Sequence, residues 1–357
     1  MKNQEIKKIK VGMYDPFLDT LGGGEKYILS IMDVFAELGY EINIIWNKNL
    51  TQEIKNRFSL QSIKRLKFLP LKTLKGLQTF DYFFYVTDGS YFFSGAKKNF
   101  IYAMIPDKKL YSKNLINRLK LINYQFITHS VFTQKWLSKF GTKSEVIMPY
   151  LDSKLINQSI NFEKKEKIIL SVGRFFSHLH SKKQDLMIKT FKDLKKKSKE
   201  FIDYKLVLAG GLMKEDQEYF ESLKKLADND SSIIFKPNIS LYELYRLYGL
   251  STFYWHFTGL GVDEEKNPEQ VEHFGITPLE AMASGCLTFC YKAGGPKEMI
   301  ENNDNGFLFS DSNELIDKMI EVNSDKLLKE KIIKNGKQFV KENFSYEVFK
   351  EKIKKLL

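Results

Sequence analysis

Lys8-Ile9-Lys10-Val11-Gly12-Met13-Tyr14, the loop glycines Gly22-Gly23-Gly24, an apolar-periodic run from Glu25 to Leu38 and Glu41-Ile42-Asn43-Ile44-Ile45-Trp46 follow one another at the start of the chain. Alternation over 8–14 predicts a strand, and the three-to-four spacing over 25–38 predicts a helix. Gly39 stands where a helix C-cap is expected, and Glu41–Trp46 supplies the next strand. Strand, glycine loop, helix and strand make a βαβ unit, which implies a parallel sheet. Further strands are expected at 81–86, 99–103, 125–128 and 144–147.

The pattern then pauses and restarts. Residues 152–167 are polar, lysine-rich and aperiodic, as in a linker. Beyond them Ile168-Ile169-Leu170-Ser171-Val172-Gly173 reads as a short buried strand, with a helix at 184–194. A strand at 204–209 leads into Gly210-Gly211, followed by a helix at 216–227, a strand at 232–235, a helix at 241–247 and a strand at 252–255. The chain has 357 residues, long for one core. The expected fold is α/β, with two Rossmann-like domains facing a central cleft. They are a first domain over 1–155, a second over 156–340, and a C-terminal helix over 341–357 packing back on the first. Ligands of such sheets bind outside the carboxyl ends of the strands, where the glycine loops fall.

Composition narrows the function classes. Apolar residues make up 43% and charged residues 28%, which excludes wholesale disorder. The charged N-terminus lacks the apolar stretch of a signal peptide, and no run is long enough to span a bilayer, so a cytoplasmic protein is expected. Cys286 and Cys290 fit neither a zinc frame nor a redox motif and read as buried thiols. The same test sets His178 and His180 aside as metal ligands, and no metal site is expected. A net charge of +12 points to an anionic partner: nucleic acid, a membrane face or a phosphate-bearing substrate. No nucleic-acid-binding motif is present, so nucleic acid is not expected.

The most informative stretch is Glu272-His273-Phe274-Gly275-Ile276-Thr277-Pro278-Leu279-Glu280-Ala281-Met282-Ala283-Ser284-Gly285. Thr277 suits an N-cap and Pro278 the first helical position, which sets Glu272 in the preceding loop and Glu280 in the first turn. Free N–H groups at that helix start attract phosphate, and the two carboxylates can accept hydrogen bonds from sugar and ribose hydroxyls.

This wording closely resembles the donor-site signature of the retaining glycosyltransferases of family 4, which have the two-domain GT-B fold. The resemblance implies that Glu272 contacts sugar hydroxyls and that Glu280 binds the nucleotide ribose. Phe274, Gly275, Ile276 and Thr277 would line the donor. Gly173-Arg174 followed by His180-Ser181-Lys182-Lys183 is similar to the family's strand end and downstream lysine. It implies that Arg174 and Lys182 hold the diphosphate, with Lys182 preferred to Lys183. Gly22, Gly23 and Gly24 resemble the N-terminal loop that approaches the donor, and they lack the spacing of a dinucleotide-binding turn. Weaker likeness extends over 128–133, 146–149 and 343–347.

The family often carries a histidine after the strand at 99–103, where Met104-Ile105-Pro106-Asp107 stands here. Asp88, Asp107 and His256 are the acceptor-side candidates, His256 being equally open to a structural role. Function follows from the resemblance: a metal-independent, retaining transfer of a hexose, mannose as the first guess. The donor would be a GDP- or UDP-sugar, itself a substrate, with no cofactor, and the acceptor a glycan or lipid-linked glycan of the cell surface. The alternatives are a GT-B nucleotide-sugar epimerase or a non-catalytic nucleotide-sugar-binding protein. An anionic membrane surface is a further expected partner. Lysines and arginines are interleaved with apolar residues over 55–75, and Lys113, Arg118 and Lys120 surround Leu115, Ile116 and Leu119.

Overall fold

A computed structural model describes residues 8–58, 60, 62, 66–112, 114–177 and 181–357. The chain forms two compact units, Met1–Pro149 with Phe349–Leu357, and Tyr150–Val348. His178 and His180, together with Ile63, Lys64, Arg65 and Lys113 of the basic stretches, lie outside the described residues.

In the first unit, β1 (Lys10–Tyr14), β2 (Glu41–Ile45), β3 (Lys67–Leu69), β4 (Tyr82–Val86), β5 (Lys98–Tyr102), β6 (Tyr124–Thr128) and β7 (Ser144–Val146) form one sheet. Its order is β3-β2-β1-β4-β5-β6-β7, and every pairing is parallel. The helices are α1 (Gly23–Glu37), α2 (Thr51–Arg57), α3 (Leu115–Leu121) and α4 (Val131–Lys139). Parallel strands covered on both faces need continuous apolar runs, and Phe83, Phe84 and Tyr85 in β4 are all fully buried.

The second unit repeats the plan. Strands β8 (Glu166–Val172), β9 (Lys205–Gly210), β10 (Ile233–Pro237), β11 (Ser251–His256), β12 (Leu287–Tyr291) and β13 (Phe307–Phe309) pair in the order β10-β9-β8-β11-β12-β13, again all parallel. The helices are α5 (Ser153–Asn157), α6 (Gln184–Lys197), α7 (Gln217–Ala227), α8 (Leu241–Leu250), α9 (Ile276–Ala283), α10 (Pro296–Met299), α11 (Ser312–Ser324) and α12 (Lys326–Asn343). Side chains alternate between two cores, as a period of two requires. Ile169, Leu206, Leu208, Phe253, Trp255 and Phe289 enter one, and Ile168, Leu170, Val207 and Tyr254 the other. The last helix, α13 (Tyr346–Lys354), begins in this unit, and its residues from Phe349 onward belong to the first. There Phe349 meets the Tyr27 ring edge-on and Lys350 pairs with Glu37. Among the described residues no helix is long and apolar enough to cross a membrane.

Two expectations change. The stretch 152–167 is not a plain linker: Asp152 caps α5 through the Lys154 N–H, Leu155 and Ile156 are buried, and Glu166 already belongs to β8. In the basic stretch 55–75, Phe58 is buried, while Phe68 and Leu69 are half-buried on strand β3, so these apolar residues pack inward.

Lys165 has a role that the sequence pattern does not announce. Its Nζ donates to the carbonyls of Tyr248, Ser251 and Ser284, at 3.3, 2.9 and 3.0 Å. These oxygens lie at the C-terminal ends of α8 and α9, where unpaired carbonyls and the helix dipoles favour a cation. Burial lowers the Lys165 pKa, and Cys286 pulls it back only in part. Lys165→Met should therefore strand buried acceptors and lower unfolding stability by about 2 kcal/mol. Denaturant melts of the two proteins measure this, and an unchanged midpoint would mean that the three carbonyls do not depend on Lys165.

Candidate functional site

In the second unit the strand order runs outward in opposite directions from the adjacent pair β8 and β11. At such a switch point the loops leaving the two strands part and open a crevice at their carboxyl ends. Of the residues singled out in the sequence of this unit, Lys182, Glu272 and His256 meet there.

Gly173 follows β8, and the Lys182 side chain crosses it so closely that a Cβ on residue 173 would stand 2.5 Å from Lys182 Cγ. Lys182 Nζ reaches Glu272 Oε2 at 2.6 Å, both side chains being mostly buried. His256, the last residue of β11, places Nε2 3.0 Å from the same oxygen. That nitrogen lacks the alignment of a straight hydrogen bond, so its attraction to the carboxylate is mainly one of charge and dipole. Lys183 instead shapes the backbone, adopting the left-handed conformation (φ 58°) before α6. The geometry thus selects Lys182 as the lysine of the cluster.

Burial pushes the Glu272 carboxyl up, but the adjacent Lys182 charge, helped by His256, outweighs it and holds the carboxyl well below its usual 4.5. For His256 burial dominates and lowers the ring below 6.5, against an upward pull from Glu272. The result is a carboxylate and an ammonium in contact, with a neutral imidazole beside them.

The Glu272 backbone is clamped from a loop that sequence reasoning missed. Gly295 N–H donates to the Glu272 carbonyl at 2.8 Å. A Cβ on Gly294, whose φ is +62°, would stand 2.0 Å from that oxygen. Glu264 fixes the loop in turn, accepting from Gly294 N–H and Lys297 Nζ, both at 2.7 Å. The only local signal for this clamp is the Gly294-Gly295-Pro296 turn wording.

The start of α9 differs from the expected one. Its N-cap is Gly275 at φ 102°, a conformation that glycine adopts without the Cβ penalty, so Ile276 is the first helical residue. Pro278 is then the third, where its missing N–H still costs no helical bond. Thr277 is inside the helix and accepts from Tyr254 Oη at 2.8 Å. Phe274 is buried, its ring edge-on to Phe344. Glu280 lies two residues deeper in the helix than expected, half-buried, and accepts from the Tyr248 hydroxyl at 2.9 Å.

Arg174 is half-exposed, 3.6 Å from Asp216 Oδ2, with its guanidinium over the Phe176 ring at 4.7 Å. Its backbone carbonyl is held by Gln184 Nε2 at 2.9 Å. A neighbouring pocket of about 320 Å³ is lined by Ser177, Glu215, Asp216, Glu218, Tyr219 and Ser222, an acidic surface unsuited to a diphosphate.

His256 stands on Glu272, in the same cluster as Lys182. Asp88 and Asp107 belong to the first unit. Asp88 Oδ1 accepts from Tyr85 Oη and Ser90 N–H, and Asp107 caps a short turn through Lys109 N–H. The glycine run there is the helix start itself: Gly22 is the N-cap of α1, and Gly23 and Gly24 are its first residues. Glu25 causes the shift, accepting from Gly22 N–H and Thr20 Oγ1 at 2.5 and 2.7 Å, while Leu21 takes the left-handed conformation. Asp15, just beyond β1, carries no sequence signal of its own. It is fully buried, with Oδ2 lacking a hydrogen-bond partner among the described residues. Burial, with Glu25 and Asp19 nearby, raises its carboxyl to about 7 against the Phe17 N–H bond.

The family model described as Glycosyl transferases group 1 matches residues 152–339, more than half of the chain. Among curated proteins the chain is similar to the alpha-1,3/1,6-mannosyltransferase ALG2 of Rhizomucor pusillus, 25% identical over 55% of this chain and 46% of that protein. It is 32% identical to the Xenopus tropicalis GDP-Man:Man(3)GlcNAc(2)-PP-Dol alpha-1,2-mannosyltransferase, over 48% of this chain and 34% of that one. The chain therefore spans half or less of these relatives' lengths. Among solved structures, Anabaena HepE in complex with UDP and glucose superposes with a TM-score of 0.71 at 14% identity, over 97% of this chain and 98% of that one. A Rickettsia africae glycosyltransferase gives 0.72 at 18%, over 98% and 99%. At such identities the likeness concerns the fold.

The pKa directions make the cluster testable. Glu272, with a lowered carboxyl, contributes stability above the ordinary carboxylate value, lost only as pH falls through the depressed one. His256, also lowered, contributes stability that is present above 6.5 and lost as pH falls through its folded value. The NMR titration of the His256 ring should have its midpoint below 6.5. Glu272→Gln removes the upward pull and should lower that midpoint further. It also leaves Lys182 without its anion, at a cost of about 3 kcal/mol in stability. A midpoint at or above 6.5 in the unaltered protein would contradict this electrostatic reading.

Proposed function

We propose that this chain, which belongs to the glycosyl transferases group 1 family, moves a hexose from a nucleotide-diphosphate sugar to a glycan or lipid-linked acceptor in cell-surface glycan assembly. The observation that carries the reading is the contact of Lys182, Glu272 and His256 at the switch point, with Glu280 one turn into α9. A sugar nucleotide offers what each group can use. Its diphosphate suits Lys182 and Arg174, its sugar hydroxyls suit Glu272, and its ribose hydroxyls suit Glu280. The relatives' printed activities favour mannose and a GDP-sugar, while the HepE complexes keep UDP-sugars in view.

The proposed chemistry keeps the anomeric configuration and uses no divalent metal or cofactor. The bond from the anomeric carbon to the phosphate oxygen breaks, and an acceptor oxygen bonds to the same face of that carbon. The acceptor's proton passes to the departing phosphate. Lys182 and Arg174 stabilise the charge that grows on the diphosphate, a role for which pre-placed cations need no reorganisation. In the free protein Lys182 is already paired with Glu272, so donor binding exchanges one anionic partner for another and frees Glu272 for sugar hydroxyls. The acceptor belongs at the cytoplasmic face of an anionic membrane.

Turnover of GDP-mannose, or failing that a UDP-hexose, should persist in EDTA; complete loss restored by Mg²⁺ or Mn²⁺ would overturn metal independence. Arg174→Ala should lower kcat about a hundredfold and change the donor KM less, because the charge it meets develops toward the transition state. Glu280→Ala should weaken donor binding about tenfold or more, and an unchanged affinity in a folded variant would remove the ribose assignment.

A further inference from the structure

We propose that Tyr248 is a positioning residue that presents Glu280 to the ribose of the donor, and that Lys165 and Cys286 hold Tyr248 in place for this task. The inference deepens the nucleotide-sugar reading and rests on its assignment of Glu280 to the ribose.

Tyr248 stands in the last turn of α8, fully buried, in the core that holds Ile168, Leu170, Val207 and Tyr254. A phenylalanine would fill the same space, so only the hydroxyl distinguishes tyrosine here. Buried without a partner, that hydroxyl would cost stability. Its partner is the Glu280 carboxylate, which accepts from it at 2.9 Å. The neighbouring tyrosines are committed elsewhere: Tyr245 Oη donates to Asp152 Oδ2 at 3.3 Å, and Tyr254 Oη to Thr277 Oγ1 at 2.8 Å. Burial, reinforced by the Glu280 charge, raises the Tyr248 hydroxyl well above its ordinary value, so it remains a donor at neutral pH.

Tyr248 is itself held through its backbone. Its carbonyl accepts from Lys165 Nζ at 3.3 Å and from Cys286 Sγ at 3.1 Å. Lys165 also holds the Ser284 carbonyl, and Cys286 N–H donates to the carbonyl of Ala281 at 2.9 Å. The C-terminal ends of α8 and α9 are therefore tied to each other, which fixes where the Tyr248 hydroxyl meets Glu280. A glutamate side chain has several rotamers, and confining them at the moment of binding weakens affinity. Tyr248 confines them beforehand. A carboxylate has about four acceptor positions, so one bond from a phenol leaves the group able to accept from a vicinal diol as well. Ribose offers such a diol in its 2′- and 3′-hydroxyls. The effect of Tyr248 is thus expected on nucleotides with an intact ribose and not on those that lack the diol.

The test is isothermal titration of the full chain with GDP, or with UDP where GDP does not bind, and with the 2′,3′-dideoxy form of the same nucleotide. The unaltered chain is compared with Tyr248→Phe, with Glu280→Ala and with the two substitutions combined, melting curves confirming that each is folded. The unaltered chain should prefer the ribose form about tenfold or more. Tyr248→Phe should weaken the ribose form about fivefold and the dideoxy form little, and in the Glu280→Ala background it should change neither. In turnover the same factor should appear in the donor KM with kcat nearly unchanged, because the ribose contact is the same in the ground state and the transition state. Lys165→Met, which frees the Tyr248 carbonyl, should narrow the ribose preference too, and an unchanged preference would remove Lys165 from the account. Equal losses for the two nucleotide forms in Tyr248→Phe, or a further loss in the Glu280→Ala background, would overturn the proposal and make Tyr248 a support of the fold alone, with the ribose assignment of Glu280 intact. No preference for the ribose form in the unaltered chain, or no nucleotide binding at all, would remove that assignment and the proposal with it.

Discussion

Lys182 and Glu272 meet at 2.6 Å in surroundings that would tolerate neither alone. Taking an ammonium and a carboxylate out of water costs several kcal/mol each, and their mutual attraction offsets that only with close contact. For stability alone a pair of apolar residues would serve as well, which is the physical reason to look for a use of the charges. The contact requires the loop after β8 to meet the loop after β11, and adjacent parallel strands at a switch point provide that meeting. His256 at the end of β11 adds a neutral ring to the same carboxylate oxygen. Its low pKa keeps a second positive charge from competing with Lys182 for one anion.

Close backbone approach makes the arrangement possible. Gly173 leaves room for the Lys182 stem, and Gly294 and Gly295 leave room for the Glu272 and Phe274 carbonyls. Gly275, left-handed, turns the chain from Glu272 into α9. A side chain at Gly173, Gly294 or Gly295 would clash with the Lys182 stem or with the backbone of Glu272 and Phe274. Lys165 supports the same region from beneath, by holding the C-terminal ends of the helices that carry Tyr248 and Glu280.

What can be read in the sequence is governed by range. The buried strands β8 and β11 and the helices α1, α6 and α7 have strong local periodicity, and they lie within a few residues of their expected positions. The three-residue strands β3 and β13 are too short to carry a local pattern and are set by their pairing with β2 and β12. Glu272, Lys182 and Arg174 stand out by their resemblance to a donor signature, but nothing local reveals that Lys182 and Glu272 touch or that His256 joins them. The start of α9 differs by two residues from the expected one because a threonine and a proline outweigh a left-handed glycine in local preference. Lys165, Asp15 and the Gly294 clamp escape a reading of the sequence because what defines them, a distant partner or burial by the fold, has no local signature.

The central claim is that Glu272 serves the sugar of the donor and Lys182 its phosphates. Isothermal titration of Glu272→Gln against both GDP-mannose and GDP tests it most directly. Weaker binding of the sugar nucleotide, with GDP affinity kept or raised because Lys182 no longer pairs with Glu272, is the predicted result. An equal loss for both ligands, or no loss for either, would contradict it.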